Sequence, residues 1–87
     1  MYRVEYSQRA YKHLEKIDVS SRRKIKTWIE KNLDGCEDPR LYGKALKGQF
    51  DGLWRYRVGE YRILAHINDT EVLILIVDAG HRKSVYR

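Results

Sequence analysis

Apolar and polar positions along this chain change period three times. Residues 2–6 alternate and end at Ser7, which predicts a short first strand followed by a helix that Ser7 caps. Ala10, Leu14 and Ile17 then recur at helical spacing, with Tyr11 alongside and Lys12, Glu15 and Lys16 toward water. This helix is expected to stop near Asp18. Ser20 or Ser21 is the expected cap of a second helix, whose apolar positions are Ile25, Trp28, Ile29 and Leu33. So short a link predicts an antiparallel helical hairpin. Gly35 suits a left-handed cap at its end, and Asp38-Pro39 marks a turn or extended segment. The stretch 41–48, with two glycines and two lysines, predicts an irregular connection or one helical turn.

From Leu53 onward the period is that of strands. In Leu53–Val58, Leu53, Arg55 and Arg57 point one way, and Trp54, Tyr56 and Val58 the other. Gly59-Glu60 makes a short turn into a strand over 61–67, and Asn68-Asp69-Thr70 turns into another over 71–77. Val72–Val77 is apolar without alternation, so it is expected to be interior to the sheet and covered on both faces. The order β-α-α-β-β-β predicts an α+β fold, with a helical hairpin packed on one face of a mostly antiparallel sheet. Arg55, Arg57 and Arg62 have no place among the helix-facing residues and fall on the open face. Guanidinium groups set that close repel one another, and a phosphodiester is the obvious anion to lie between them.

Composition narrows this further. The 87 residues predict one small domain spanning 1–87, and an apolar content of 43% is that of a globular chain. Net charge is +6, with nine Lys/Arg against seven acids over 1–39 and nine against five over 40–87. The excess in the second half favours a polyanionic partner or an acidic protein over a neutral ligand. No apolar run is long enough to span a membrane and no signal-peptide pattern opens the chain, so a cytoplasmic location without membrane partner is expected. The single cysteine, Cys36, fits a reducing compartment, and no Cys/His cluster has zinc spacing; no metal or cofactor is expected.

Three motifs then carry a resemblance that covers essentially the whole chain. They are Lys44-Ala45-Leu46-Lys47-Gly48, the block Trp54-Arg55-Tyr56-Arg57-Val58-Gly59-Glu60-Tyr61-Arg62, and Gly80-His81-Arg82 followed by Val85-Tyr86. In this order the chain resembles the RelE/ParE superfamily of small bacterial and archaeal toxins, and within it the RelE branch. The resemblance implies a metal-independent endoribonuclease that enters the ribosomal A site and cuts mRNA by attack of the neighbouring 2′-hydroxyl. It also implies a cognate antitoxin, RelB-like and acidic with an amphipathic helix, that silences the toxin. Operator DNA would be met only through that antitoxin as the pair represses its own operon.

Carried onto this sequence, the resemblance makes Arg62 the phosphate-stabilising residue and places Arg82 near the leaving group. It gives Tyr86 the late tyrosine that stacks on a base or positions a reacting oxygen. Arg55 and Arg57 stand where other members carry lysines. Arginine stays protonated, so both are assigned to binding and charge stabilisation, and the general base stays open. His81 and Glu60 are the candidates for proton transfer, while Lys44, Lys47 and Lys83, with Arg55, are candidate contacts to RNA or the ribosome. Plainer readings stand beside these. Arg62 and Arg82 could only form surface ion pairs with Asp51, Glu60 or Asp78, Glu60 could be a turn residue, and His81 could satisfy a strand end. Two other functions stand beside this one: a ParE-like DNA gyrase poison, which shares the fold, and an RNA-binding module without chemistry.

Overall fold

Each element starts where a side chain supplies the missing hydrogen bond. In the computed structural model, which describes residues 1–81, β1 (Arg3–Tyr6) runs into Ser7, whose Oγ accepts from the Ala10 amide at 3.1 Å and opens α1 (Gln8–Glu15). The helix ends at Glu15, earlier than the apolar pattern suggests, because Asp18 is taken for the next cap. Its Oδ2 accepts from the Ser21 amide at 3.0 Å and opens α2 (Val19–Asn32). Asp18, not Ser20 or Ser21, is thus the cap, and the Ser21 hydrogen bonds hold its carboxyl below the usual carboxylate range.

The stretch 41–48 is not helical. It contributes a two-residue strand, β2 (Lys44–Ala45), and Gly48–Phe50 forms a single 3-10 turn. Three longer strands follow: β3 (Trp54–Val58), β4 (Tyr61–Asn68) and β5 (Leu73–His81). Gly59 adopts φ +59° in the β3–β4 turn, a value glycine takes without strain. After β4, the Asn68 side chain accepts from the Glu71 amide at 3.0 Å, which delays β5 to Leu73.

The described residues form a five-stranded sheet in the order β1-β5-β4-β3-β2. Neighbours are antiparallel except β1, which lies parallel to β5 with Arg3 opposite Leu73 and Tyr6 opposite Ile76. Both helices cover one face. Ala10 and Leu14 of α1, with Ile25 and Ile29 of α2 and Leu33 just beyond it, pack against Tyr56, Ile63, Ala65, Ile74, Ile76 and Ala79 of the sheet. Each fully buried isoleucine contributes about 1.5–3 kcal/mol to this core. The order β-α-α-β-β-β holds, with β2 as the addition.

On the other face β5 is only half covered. Ile74 and Ile76 are buried under the helices, whereas Leu73, Leu75 and Val77 remain half-buried opposite them. The unbroken apolar run therefore reports a strand between two neighbours, with one closed face and one partly open face. A second anchor ties the chain end of α2 to the sheet. Arg40 grips Asp69 with two bonds of 2.9 and 3.1 Å, the Tyr2 hydroxyl donates to the same carboxylate at 2.6 Å, and the guanidinium lies 5.5 Å over the Trp54 ring. Behind it, the Tyr56 hydroxyl donates to the Pro39 carbonyl, and Trp28 packs on the Tyr56 ring at 5.7 Å. Gly43 is needed there, since a Cβ at that position would sit 2.8 Å from Tyr56 Cε1.

Candidate functional site

Because Tyr56 is locked into the helix-covered core, Arg55 and Arg57 must project from the opposite face of β3. The β3–β4 register then decides their company. Tyr56 faces Ile63, so Arg57 faces Arg62 and Arg55 faces Leu64; across the other edge of β3, Arg55 faces Lys44. One row thus reads Lys44, Arg55, Leu64, and the next Arg57, Arg62, Gly80. Directly opposed side chains of an antiparallel pair start about 4.5–5.5 Å apart at Cβ. Arg57 is exposed and Arg62 half-buried, so the two charges differ in depth. At position 80, beside Arg62, a glycine leaves the row without a side chain.

This arrangement gathers Arg55, Arg57, Arg62 and Lys44 on the face away from the helices. Lys47 is exposed immediately before the 3-10 turn and belongs to the loop beyond β2. Glu60 occupies the β3–β4 turn, and its carboxylate stands 3.8 Å from His81 Nε2. His81, however, pairs with Tyr61 and meets that ring edge-on at 5.8 Å, and Tyr61 packs against the core. The strand alternation therefore turns His81 toward the helix side, away from the guanidinium row. Arg82, Lys83 and Tyr86 lie outside the described residues.

Asp78 is not a partner for Arg62. The β4–β5 register breaks between Leu64 and Ala65, and this irregularity brings the Asp78 carboxylate to α1. There Oδ1 lies 2.6 Å from His13 Nδ1 and accepts from the Ala79 amide at 2.8 Å, while Oδ2 lies 3.3 Å from Arg9 Nε. The sequence reading missed this cluster. A carboxylate between Val77 and Ala79 in an apolar strand was the available signal, because a buried charge requires partners. His66 was also missed: it is exposed on the open face, since Ala65 and Ile67 on either side of it are buried.

Chemically, a cationic row on an uncovered sheet face can take an extended polyanion. Two facing arginine forks suit the oxygens of one phosphate, and binding relieves their mutual repulsion.

Comparison with known proteins gives consistent relatives. Residues 4–86 match the family described as the ParE toxin of the type II toxin–antitoxin system parDE. Toxin RelG of Mycobacterium tuberculosis is 33% identical over 54 residues, a match that spans 62% of this chain and 62% of that protein. Among solved structures, the toxin–antitoxin complex RelBE2 of M. tuberculosis superposes with a TM-score of 0.85 at 26% identity, covering 93% of this chain and 98% of that one. The archaeal RelE–RelB complex from Pyrococcus horikoshii does so with a TM-score of 0.74 at 25% identity, covering 97% and 98%.

Proposed function

We propose, for a chain that belongs to the ParE-toxin family and with it to the RelE/ParE superfamily of type II toxin–antitoxin toxins, that its activity is ribosome-dependent cleavage of mRNA. The observation that carries this reading is the direct pairing of Arg57 with Arg62 on the face away from the helices, flanked by Arg55 and Lys44. In the proposed reaction the scissile phosphate lies on the Arg57–Arg62 row. The adjacent 2′-hydroxyl attacks phosphorus, a cyclic phosphate forms, and the 5′-oxygen leaves with a proton. Arg62 holds the non-bridging oxygens as charge builds on them, and Arg57 and Arg55 keep the strand in line. Arg82 serves the leaving oxygen and Tyr86 stacks on or positions the substrate.

No strong base stands on the guanidinium row, because arginine stays protonated throughout the physiological pH range. Glu60, in the β3–β4 turn, is the remaining proton-transfer candidate, and His81, 3.8 Å from its carboxylate, faces the helix side. We therefore assign most of the rate to alignment and charge neutralisation. Lys44, Lys47 and Lys83 are assigned to the ribosome or flanking RNA. The partners in this reading are the ribosome with its mRNA, and a RelB-like acidic antitoxin that lays an amphipathic helix on the domain in the cytoplasm. Operator DNA is reached through that antitoxin.

Primer extension on mRNA from cells briefly expressing the chain tests this. The expected result is cuts inside translated regions, in register with the reading frame. The family match to ParE toxins favours a second reading, in which the same fold poisons DNA gyrase. DNA breaks and an SOS response with intact mRNA would select it.

Salt dependence gives an independent check. Three arginines on single-strand phosphates predict that log affinity for RNA falls against log salt with a slope of about −2. Fluorescence anisotropy with an uncleavable oligonucleotide between low and physiological salt measures it. A flat response would remove phosphate as the anchor.

A further inference from the structure

Four residues along β4 from Arg62, on the same face away from the helices, stands His66, about 13 Å further up the strand. Ala65 and Ile67 on either side of it are buried, whereas His66 is exposed. Among the described residues its side chain makes no hydrogen bond, ion pair or ring contact. The proposed cleavage chemistry gives it no part.

The register sets its surroundings. Trp54, the first residue of β3, faces Ala65, so among the described strands His66 has its paired neighbour on the β5 side. That neighbour is Leu75, half-buried, and across β5 the same row ends at Glu5, whose carboxylate Arg3 holds at 3.4 Å. Leu73 is half-buried on the same face. Leu64, two residues before His66, faces Arg55, which makes Arg55 the diagonal neighbour of His66 at about 7–8 Å. The open face thus changes character along β4. It carries guanidiniums at Arg57 and Arg62, an aliphatic middle at Leu64 and Leu75, and an exposed imidazole beyond them.

These surroundings select the ligand. A phosphate beside His66 would lie against leucines that cannot replace its water, with a carboxylate at the end of the row. A flat, weakly charged ring loses little on the same ground. Imidazole is one of the side chains on which unstacked RNA bases lie, and sheet faces present such platforms. Arg55, between His66 and the Arg57–Arg62 row, supplies the cation for the backbone that joins the two.

We infer that His66 is a stacking platform for one base of the RNA strand anchored on the guanidinium row, with Leu75 as the apolar ground beside it. The inference rests on the cleavage reading above, because it takes RNA as the ligand.

The test uses an uncleavable 2′-O-methyl hexaribonucleotide and versions of it with a single abasic position moved along the strand. Affinity is read by fluorescence anisotropy on the whole chain. In the unmodified protein one abasic position costs about tenfold in affinity, the size expected for one stacked base. His66→Ala lowers affinity for the intact hexamer by a similar factor and removes the penalty at that position, so the two losses do not add. His66→Trp restores the affinity and the penalty. The salt slope stays unchanged in His66→Ala, whereas Arg57→Ala reduces it by about 0.7. A His66→Ala chain that binds the intact hexamer like the unmodified protein, that keeps the abasic penalty, or that loses salt slope overturns the inference and leaves the cleavage reading standing. An unmodified protein that binds none of the oligonucleotides overturns both.

Discussion

Under the cleavage reading proposed above, Arg62→Ala is expected to abolish growth arrest on expression and to lower mRNA cleavage by about 10²–10³-fold, while leaving the chain folded. That size is typical for removing one preorganised group aimed at charge developing in a transition state. Arg62 stands opposite Arg57 on the face away from the helices and is not one of the apolar core residues, so its removal relieves like-charge repulsion and leaves that core in place. Thermal unfolding should accordingly stay close to that of the unmodified chain. Arg82→Ala is expected to act in the same way. Primer extension beside growth curves measures the effect, and full toxicity in both variants would remove the arginines from the chemistry. Arg62→Lys separates charge from geometry: a compact ammonium keeps the charge but loses the fork, so partial activity is the expected outcome.

Tyr56→Ala costs about 3–5 kcal/mol of stability, a large share of the roughly 5–15 kcal/mol a domain of this kind has. Tyr56 is fully buried and joins three parts of the molecule. Its ring carries Trp28 of α2, its edge meets Gly43, and its hydroxyl donates to the Pro39 carbonyl. Burial keeps that phenol well above the usual tyrosine range, so it remains a donor. Tyr56→Phe keeps the ring and loses the hydrogen bond, at about 1–3 kcal/mol because the Pro39 carbonyl is left unpaired. Urea unfolding followed by tryptophan fluorescence distinguishes the two. An alanine variant as stable as the phenylalanine variant would mean that the ring does not organise this side of the core.

The alternation of Leu53–Val58 was enough to place Arg55 and Arg57 away from the helices, because the period of a strand leaves one choice once Tyr56 is apolar and central. Turn length at Gly59-Glu60 then set Arg57 against Arg62. What the pattern could not supply was anything depending on contacts between distant segments. The parallel pairing of β1 with β5 and the two-residue strand at Lys44–Ala45 depend on which neighbour arrives, not on local period. His81 illustrates the same limit within one strand. Adjacent in sequence to Gly80 and two strands' width from Arg57, it reads as a site residue, yet one step along a strand reverses the side. Asp78 escaped for a related reason. Its partners His13 and Arg9 lie more than sixty residues earlier, and only the broken register brings it to them.

The parallel pairing of β1 with β5 also bears on how the molecule is born. The Ser7 hydroxyl reaches the Val77 carbonyl across 70 residues of chain, and among the described residues β5 is the one strand beside β1. During synthesis the earliest strand must therefore wait, unpaired, until the latest one emerges, and contacts of such long range close slowly. Gly80, which completes the row beside Arg62, comes from that same late strand. A chain made only as far as β4 carries Arg55, Arg57 and Arg62 but lacks the strand that flanks Arg62, so the cationic row acquires its full support only when β5 joins the sheet.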